Sequence, residues 1–243
     1  MNKADLKLDW CSHAAAKYAV EHWHYSKSMP MPPTIRIGVW ECDQFIGCVV
    51  FARGASPHLG AAYGLQQTEV AELTRVAITA HIVPVSRILT IAVAMLRRKE
   101  SGLRLIVSFA DTNEGHHGGI YQGAGWMYCG KTSSKNDYIS ADGRRYRDRQ
   151  VTASGYARQF GVMTHVPKVR DCIAIPLEGK YRYLYPLDDS MKEQIASLSK
   201  PYPKRPKDSS EPPAIHAGEG GAAPTRTLQN LFPLRDRMAR LLE

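Results

Sequence analysis

The chain has 243 residues, 44% hydrophobic and 23% charged, with a formal net charge of +9, a profile that suits one globular core with room for an appendage. No apolar run approaches the ~18 residues of a membrane-spanning helix, and the N-terminal MNKADLKLDWC lacks the apolar stretch of a signal peptide. The cysteines Cys11, Cys42, Cys48, Cys129 and Cys172 are odd in number and form no CxxC pair, which argues against a zinc knuckle or disulfide framework and for reduced thiols in a cytoplasm.

Taken in order, Ser12 is placed to cap a helix running to about Trp23, with Ala16, Ala19, Val20 and Trp23 on one face. The helix ends in His22-Trp23-His24-Tyr25-Ser26, ahead of Pro30, Pro32 and Pro33. Ile35, Ile37 and Val39 alternate as a strand, and a turn at residues 41–44 leads back into Phe45–Phe51, giving a hairpin. Val70–Ile78 (VAELTRVAI) reads as another strand. Pro84 and Ser86 then open a helix through Arg98 with Ile88, Ile91, Ala92, Met95 and Leu96 at helical spacing.

The segment Leu103–Trp126 is the organising stretch. Its first eight residues are nearly all apolar, as for a strand buried on both faces, and end on Asp111. A polar, glycine-rich loop and a short helix around Ile120-Tyr121 follow, the arrangement in which α/β folds expose reactive side chains. Met127–Thr132 reads as a further strand, Asn136–Val151 as a hairpin turning at Asp142-Gly143, and Tyr181–Pro186 as the last strand. This order predicts a mixed α/β sheet flanked by helices.

Positive charge is concentrated in Lys131–Arg149 and Lys168–Arg182, interleaved with Tyr138, Tyr146, Tyr181 and Tyr183. Basic residues mixed with aromatics suit a phosphate backbone with bases to stack on, although a solvated basic face has the same composition. Lys131, Lys135, Arg144, Arg145, Arg147 and Arg149 are the candidate nucleic-acid contacts. Three units are expected: a catalytic domain over residues 1–195, a Pro/Gly-rich linker over 196–224 that cannot order itself, and a short helix over 225–243.

The order hairpin, ELTRVAI strand, long helix, buried strand and Ile-Tyr-x-x-x-Gly-Trp resembles the GNAT acetyltransferase fold. A narrower resemblance, over roughly residues 10–190, is to the Mom family of bacteriophage DNA-modification proteins. It rests on Trp23-His24-Tyr25-Ser26-Lys27-Ser28-Met29-Pro30, Leu73-Thr74-Arg75-Val76, Phe109-Ala110-Asp111-Thr112, and the arginine-rich hairpin ahead of Arg182-Tyr183-Leu184-Tyr185-Pro186-Leu187. The resemblance implies a GNAT-like mixed sheet with an appended arginine-rich β-hairpin and a disordered C-terminal tail. It also implies an enzyme of the host-cell cytoplasm that converts adenine in DNA to its N6-carbamoylmethyl (acetamido) form and so protects phage DNA from restriction. Double-stranded DNA with a flipped base is the expected partner, no membrane is involved, and homodimerisation stays open. The alternative is a GNAT-type N-acetyltransferase acting on a small-molecule or protein amine.

Acetyl-CoA and iron (Fe2+) are the cofactors so implied. Tyr121 matches the GNAT tyrosine that protonates the departing thiolate, while Ser86 and Arg87 at the helix start would meet the donor's phosphates. The usual glycine-rich diphosphate loop is replaced by Thr79-Ala80-His81-Ile82-Val83-Pro84-Val85-Ser86, which has no glycine. His24, Tyr25 and Asp111 are the candidate iron ligands, with His116 or His117 as alternatives for completing the set. His24 and Tyr25 read equally as a capped helix end, and Asp111 as a cap on the following helix. Arg75, mid-strand, needs a partner such as Glu72 or Asp111, or serves to orient a substrate oxyanion. Trp23 or Tyr25 could stack on an extruded base, while a tryptophan at the end of an amphipathic helix is commonly core.

Overall fold

A computed structural model describes residues 5–204 except 55 and 160. Sixteen elements follow one another: β1 (Leu6–Trp10), α1 (His13–Trp23), β2 (Thr34–Glu41), β3 (Gln44–Ala52), β4 (Val70–Ile78), α2 (Val85–Lys99), β5 (Leu105–Ala110) and α3 (Gly119–Gly123), then β6 (Met127–Lys131), β7 (Lys135–Ser140), β8 (Arg145–Arg147), β9 (Tyr156–Gln159), β10 (Val162–His165), β11 (Cys172–Leu177), β12 (Tyr181–Pro186) and α4 (Asp189–Ile195). The main sheet has seven strands in the order β1-β2-β3-β4-β5-β12-β6. Only β4 and β5 within it are parallel, so the mixed α/β expectation holds.

The local chemistry is legible. The Ser12 side chain accepts the Ala15 N–H and starts α1, as the sequence predicts. Cys42 and Asp43, both at positive φ, close the two-residue turn between β2 and β3. Apolar residues of α2 pack with Val49, Phe51, Val76 and Ile106 on one face of the sheet. On the other face α1 covers Cys48, Val50 and Ala77, and α4 covers Leu105, Val107 and Leu184.

Two features of the sheet shape the site. The parallel pairing of β4 and β5 covers only Val70–Leu73 against Leu105–Ser108, although both strands run on beyond it. In addition, the β3–β4 register slips between Val50 and Phe51, which pair with Arg75 and Leu73. The extra residue is Thr74, whose hydroxyl donates to Val50 O. Leu73 packs toward α2. One residue of bulge is enough to turn Arg75, like Ala77, toward α1.

Between β6 and β12 the chain makes an excursion of its own. There β11, β7 and β8 form a three-stranded sheet, and β9 pairs with β10 in a separate two-stranded ribbon. The hairpin turning at Asp142-Gly143 is present, with Asp137 opposite Arg147 and Ile139 opposite Arg145. No pattern in the sequence marks β1, the ribbon, β11 or α4 in advance.

The first residues of the expected linker make contacts of their own. Residues 196–204 dock on the domain: Lys200 N–H donates to Tyr128 O, Tyr202 Oη to Trp126 O, and Gln122 Nε2 to Pro203 O. These bonds order a polar stretch that has little apolar surface to bury. The expected terminal helix over 225–243 lies outside the described residues. Among those residues no helix is long and apolar enough to cross a membrane.

Candidate functional site

Where β4 and β5 part, the loop after α1 meets the end of β5. His24 is the C-cap of α1. Only 4% of its surface is exposed. Its Nδ1 accepts the Ser26 N–H at 3.1 Å and lies 2.9 Å from Ser26 Oγ, which fixes the neutral tautomer with the proton on Nε2. Burial first, then repulsion from Arg75, His116 and Lys27, lowers the His24 pKa to about 3. Tyr25 stacks on His24 with ring centroids 4.3 Å apart and meets the edge of His116 at 5.4 Å.

Arg75 ties this loop to the sheet. Its Nε donates to Ser28 O at 2.9 Å and its Nη1 to Thr74 O. Asp111 ends β5 and caps the next turn, its Oδ1 accepting Asn113 N–H and Asn113 Nδ2. Its Oδ2 lies 2.5 Å from Lys180 Nζ. Burial opposes the Asp111 charge, but the Lys180 bond and charge and the Asn113 bonds outweigh it and hold the carboxyl below its usual range. Tyr25 senses that carboxylate: burial first, then Asp111, pushes its phenol up to about 12 against the opposing charges of Arg75 and Arg147.

A neutral imidazole in a cationic surround has a measurable consequence. The unfolded chain takes up a proton near the ordinary histidine pKa that folded His24 refuses, so stability falls as pH drops from about 6.5 toward 3. The Asp111 contribution has the same sign: it is present above the unfolded carboxylate pKa and is lost as pH falls through the lower folded value. Urea unfolding should show His24→Gln losing about 1–2 kcal/mol less than the parent between pH 7 and pH 5. Identical losses would remove His24 as the source.

The other predicted site residues divide between two places. Tyr121 is buried on the α2 side of the sheet, where Ser108 Oγ lies 2.9 Å from its hydroxyl and also from Leu73 O, at the end of the β4–β5 pairing. Trp23 packs near Phe45 and Tyr18, a core role. Tyr25 is thus the aromatic at the site. Among the predicted DNA contacts, Arg145 is pinned to buried Asp137 at 2.8 Å and Lys131 to Glu178 at 2.7 Å. Arg144 sits beside Asp142, and Lys135, Arg147 and Arg149 are exposed. The sequence reading singled out neither Lys180, Ser108 nor Glu41. Lys180 had a signal in the second basic run; the other two had none.

Two cofactor expectations can be tested against the side chains. For iron, His24 has its Nδ1 lone pair engaged and its proton on Nε2, while the Asp111 carboxylate is held by Lys180. Among the described residues no group of three or more His, Cys, Asp or Glu could hold a metal ion. In the set His24, Tyr25 and Asp111, two of the three expected ligands thus already have polar partners of their own. For the diphosphate of acetyl-CoA, two of the amides ahead of α2 are already taken. Buried Glu41 accepts Ile82 N–H at 2.9 Å and Val83 N–H at 2.8 Å. Ser86 lies in the first turn of α2, where a Cβ on Gly123 of α3 would lie 3.1 Å from its own Cβ. Arg87 is exposed.

The Mom protein family model matches residues 5–204. The methylcarbamoylase Mom of Escherichia phage Mu is 23% identical over 207 residues, covering 82% of this chain and 84% of the phage protein. Among solved structures, an N-acetyltransferase from Staphylococcus aureus Mu50 superposes with a TM-score of 0.42 at 8% identity, over 76% of this chain and 99% of that one. A Bacillus subtilis acetyltransferase in complex with CoA gives 0.42 at 12% identity, over 76% and 99%.

Proposed function

Since the chain belongs to the Mom protein family, we propose that it is a phage-type DNA-modifying transferase that converts adenine to its N6-carbamoylmethyl form. The observation that supports this reading is the run of contacts at the end of β5: Tyr25 stacks on His24 and meets His116 edge-on, the His116 N–H donates to Asp111 O, and Arg75 holds the same loop through Ser28 O. An aromatic ring and cations next to a carboxylate are the groups that would stack on and hydrogen-bond a flipped nucleotide.

Adenine offers an N6 amino donor next to a ring-nitrogen acceptor. Asp111 is an acceptor, while the His24 Nε2–H and the neutral Tyr25 hydroxyl are donors, so the site can pair with both positions of one base edge. The N6 lone pair is delocalised into the purine and is a poor nucleophile. When N6 displaces a leaving group from the methylene carbon of a carbamoylmethyl donor, the C–N bond forms as the bond to that group breaks and the group departs with its electron pair; the resulting cationic nitrogen is strongly acidic, and even a carboxylate held below its usual range can take its proton. Lys180 keeps Asp111 ionised for that task, and Arg75 holds the Tyr25 loop in place through Ser28 O. Tyr121 and Ser108 lie on the opposite face of the sheet, where the resemblance puts the group donor. The Ile82 and Val83 amides ahead of α2 are held by Glu41.

The test is mass spectrometry of nucleosides from plasmid DNA of cells expressing the protein. A deoxyadenosine heavier by the carbamoylmethyl group is expected. Unmodified DNA from cells making folded protein would overturn the assignment, and acylation of a small-molecule or protein amine in its place would favour an ordinary N-acetyltransferase.

A further inference from the structure

The β9–β10 ribbon has the features of an element built to enter a nucleic acid. All four residues of β10 are exposed, Val162 at 66% and Met163 at 63%. Strand pairing sets Met163 opposite Arg158 and His165 opposite Tyr156. Because side chains alternate, Met163, Arg158, His165 and Tyr156 share one face and Val162 lies on the other. Tyr156 meets His165 edge-on at 5.4 Å, and Tyr156 is itself 54% exposed.

Charge says what would cover this ribbon. From Arg149 to Arg170 the chain carries Arg149, Arg158, Lys168 and Arg170 and no acidic residue. Asp171 pairs with Arg170 at 3.6 Å, which leaves Arg149, Arg158 and Lys168 as the cations of this stretch. A water-exposed ribbon that joins apolar residues to such cations is complementary to a polyanion with a stacked apolar interior. A duplex groove admits a two-stranded ribbon, and apolar wedges between base pairs unstack and kink DNA. The ribbon belongs to the same excursion between β6 and β12 as the arginine-bearing β8. It follows the short turn Asp148–Gln150 after β8, and the Arg147 of β8 acts on Tyr25. The bridge between Thr152 and Lys168 closes its base.

We propose that the β9–β10 ribbon is the duplex-opening element, with Val162 and Met163 pressing between base pairs beside the adenine presented to Asp111. The inference rests on the reading of this chain as a DNA adenine-modifying enzyme. It separates two jobs: the cations of the excursion hold the backbone, and the ribbon tip separates the stack.

Plasmid unwinding tests it without knowledge of the preferred sequence. Nicked plasmid is sealed by ligase in the presence of the full chain, and the topoisomers are counted after the protein is removed. The parent should shift the distribution toward unwound forms. Val162→Ser with Met163→Ser should abolish the shift, lower modified deoxyadenosine at least tenfold, and keep the affinity and salt slope for the plasmid. Met163→Leu, still apolar, should unwind as the parent does. A double variant that unwinds and modifies normally overturns the proposal, and so does one that no longer binds, because the tip would then be a grip. Unwinding that depends on the tip, in a parent that leaves adenine unmodified, would keep the ribbon assignment and overturn the activity.

Discussion

Asp111→Asn should lower the modified deoxyadenosine formed per protein about 100-fold or more, the size expected when a positioned proton acceptor is removed. Folding should change little. Asparagine can still accept the Asn113 bonds that cap the turn, and the lost partner, Lys180, is a half-exposed cation for which an ion pair contributes about 1 kcal/mol or less. Lys180→Met tests the same carboxylate from the other side. Without the ammonium, burial would dominate and raise the Asp111 pKa, so the acid limb of the pH–rate profile should move to higher pH. An Asp111→Asn protein that modifies DNA normally would remove the carboxylate from the chemistry. A Lys180→Met profile identical to the parent's would mean that Asp111 is not the group whose ionisation the rate follows.

Much of this site was legible in the residues, for reasons that differ by element. The capped helix α1, the Cys42-Asp43 turn and the buried strand β5 follow from local chemistry: a hydroxyl at a helix start, a tight connection, an apolar run. The grouping of His24 and Tyr25 with Asp111 is what the resemblance implies, since spacing in sequence cannot bring residues 24 and 111 together. What stayed hidden is pairwise. The bulge at Thr74 that re-aims Arg75 is a property of two strands in register, and VAELTRVAI alone reads as regular alternation. Lys180 reads as one more cation of a basic run until it closes on Asp111. The ribbon was missed because the alternation rule detects half-buried strands, and all of β10 is exposed. Local pattern encodes elements that bury one face, whereas this excursion buries little.

Glu41→Ala should destabilise the fold by about 3 kcal/mol. The removed carboxylate leaves the buried Val83 N–H and the Ile82 N–H without an acceptor, and an orphaned buried amide costs about 1–3 kcal/mol, more where its partner was charged. The loss arises from topology. Glu41 is the last residue of β2 and pairs with Leu6 of β1, so its side chain staples the edge hairpin to the loop entering α2. It also places a negative charge near the positive end of that helix. A glycine-free loop can keep its amides inward if a fixed carboxylate satisfies them, and the seat that a diphosphate would need is then full before any donor arrives. Inorganic pyrophosphate should therefore leave the parent's urea midpoint unchanged but raise that of Glu41→Ala, because anion binding to the emptied amides favours the folded state. Glu41→Gln, which keeps one acceptor oxygen, should fall between the two in stability and gain little from pyrophosphate. If the parent is itself stabilised by pyrophosphate or CoA, and Glu41→Ala is not stabilised further, these amides are open to ligands and the carboxylate does not occupy the seat.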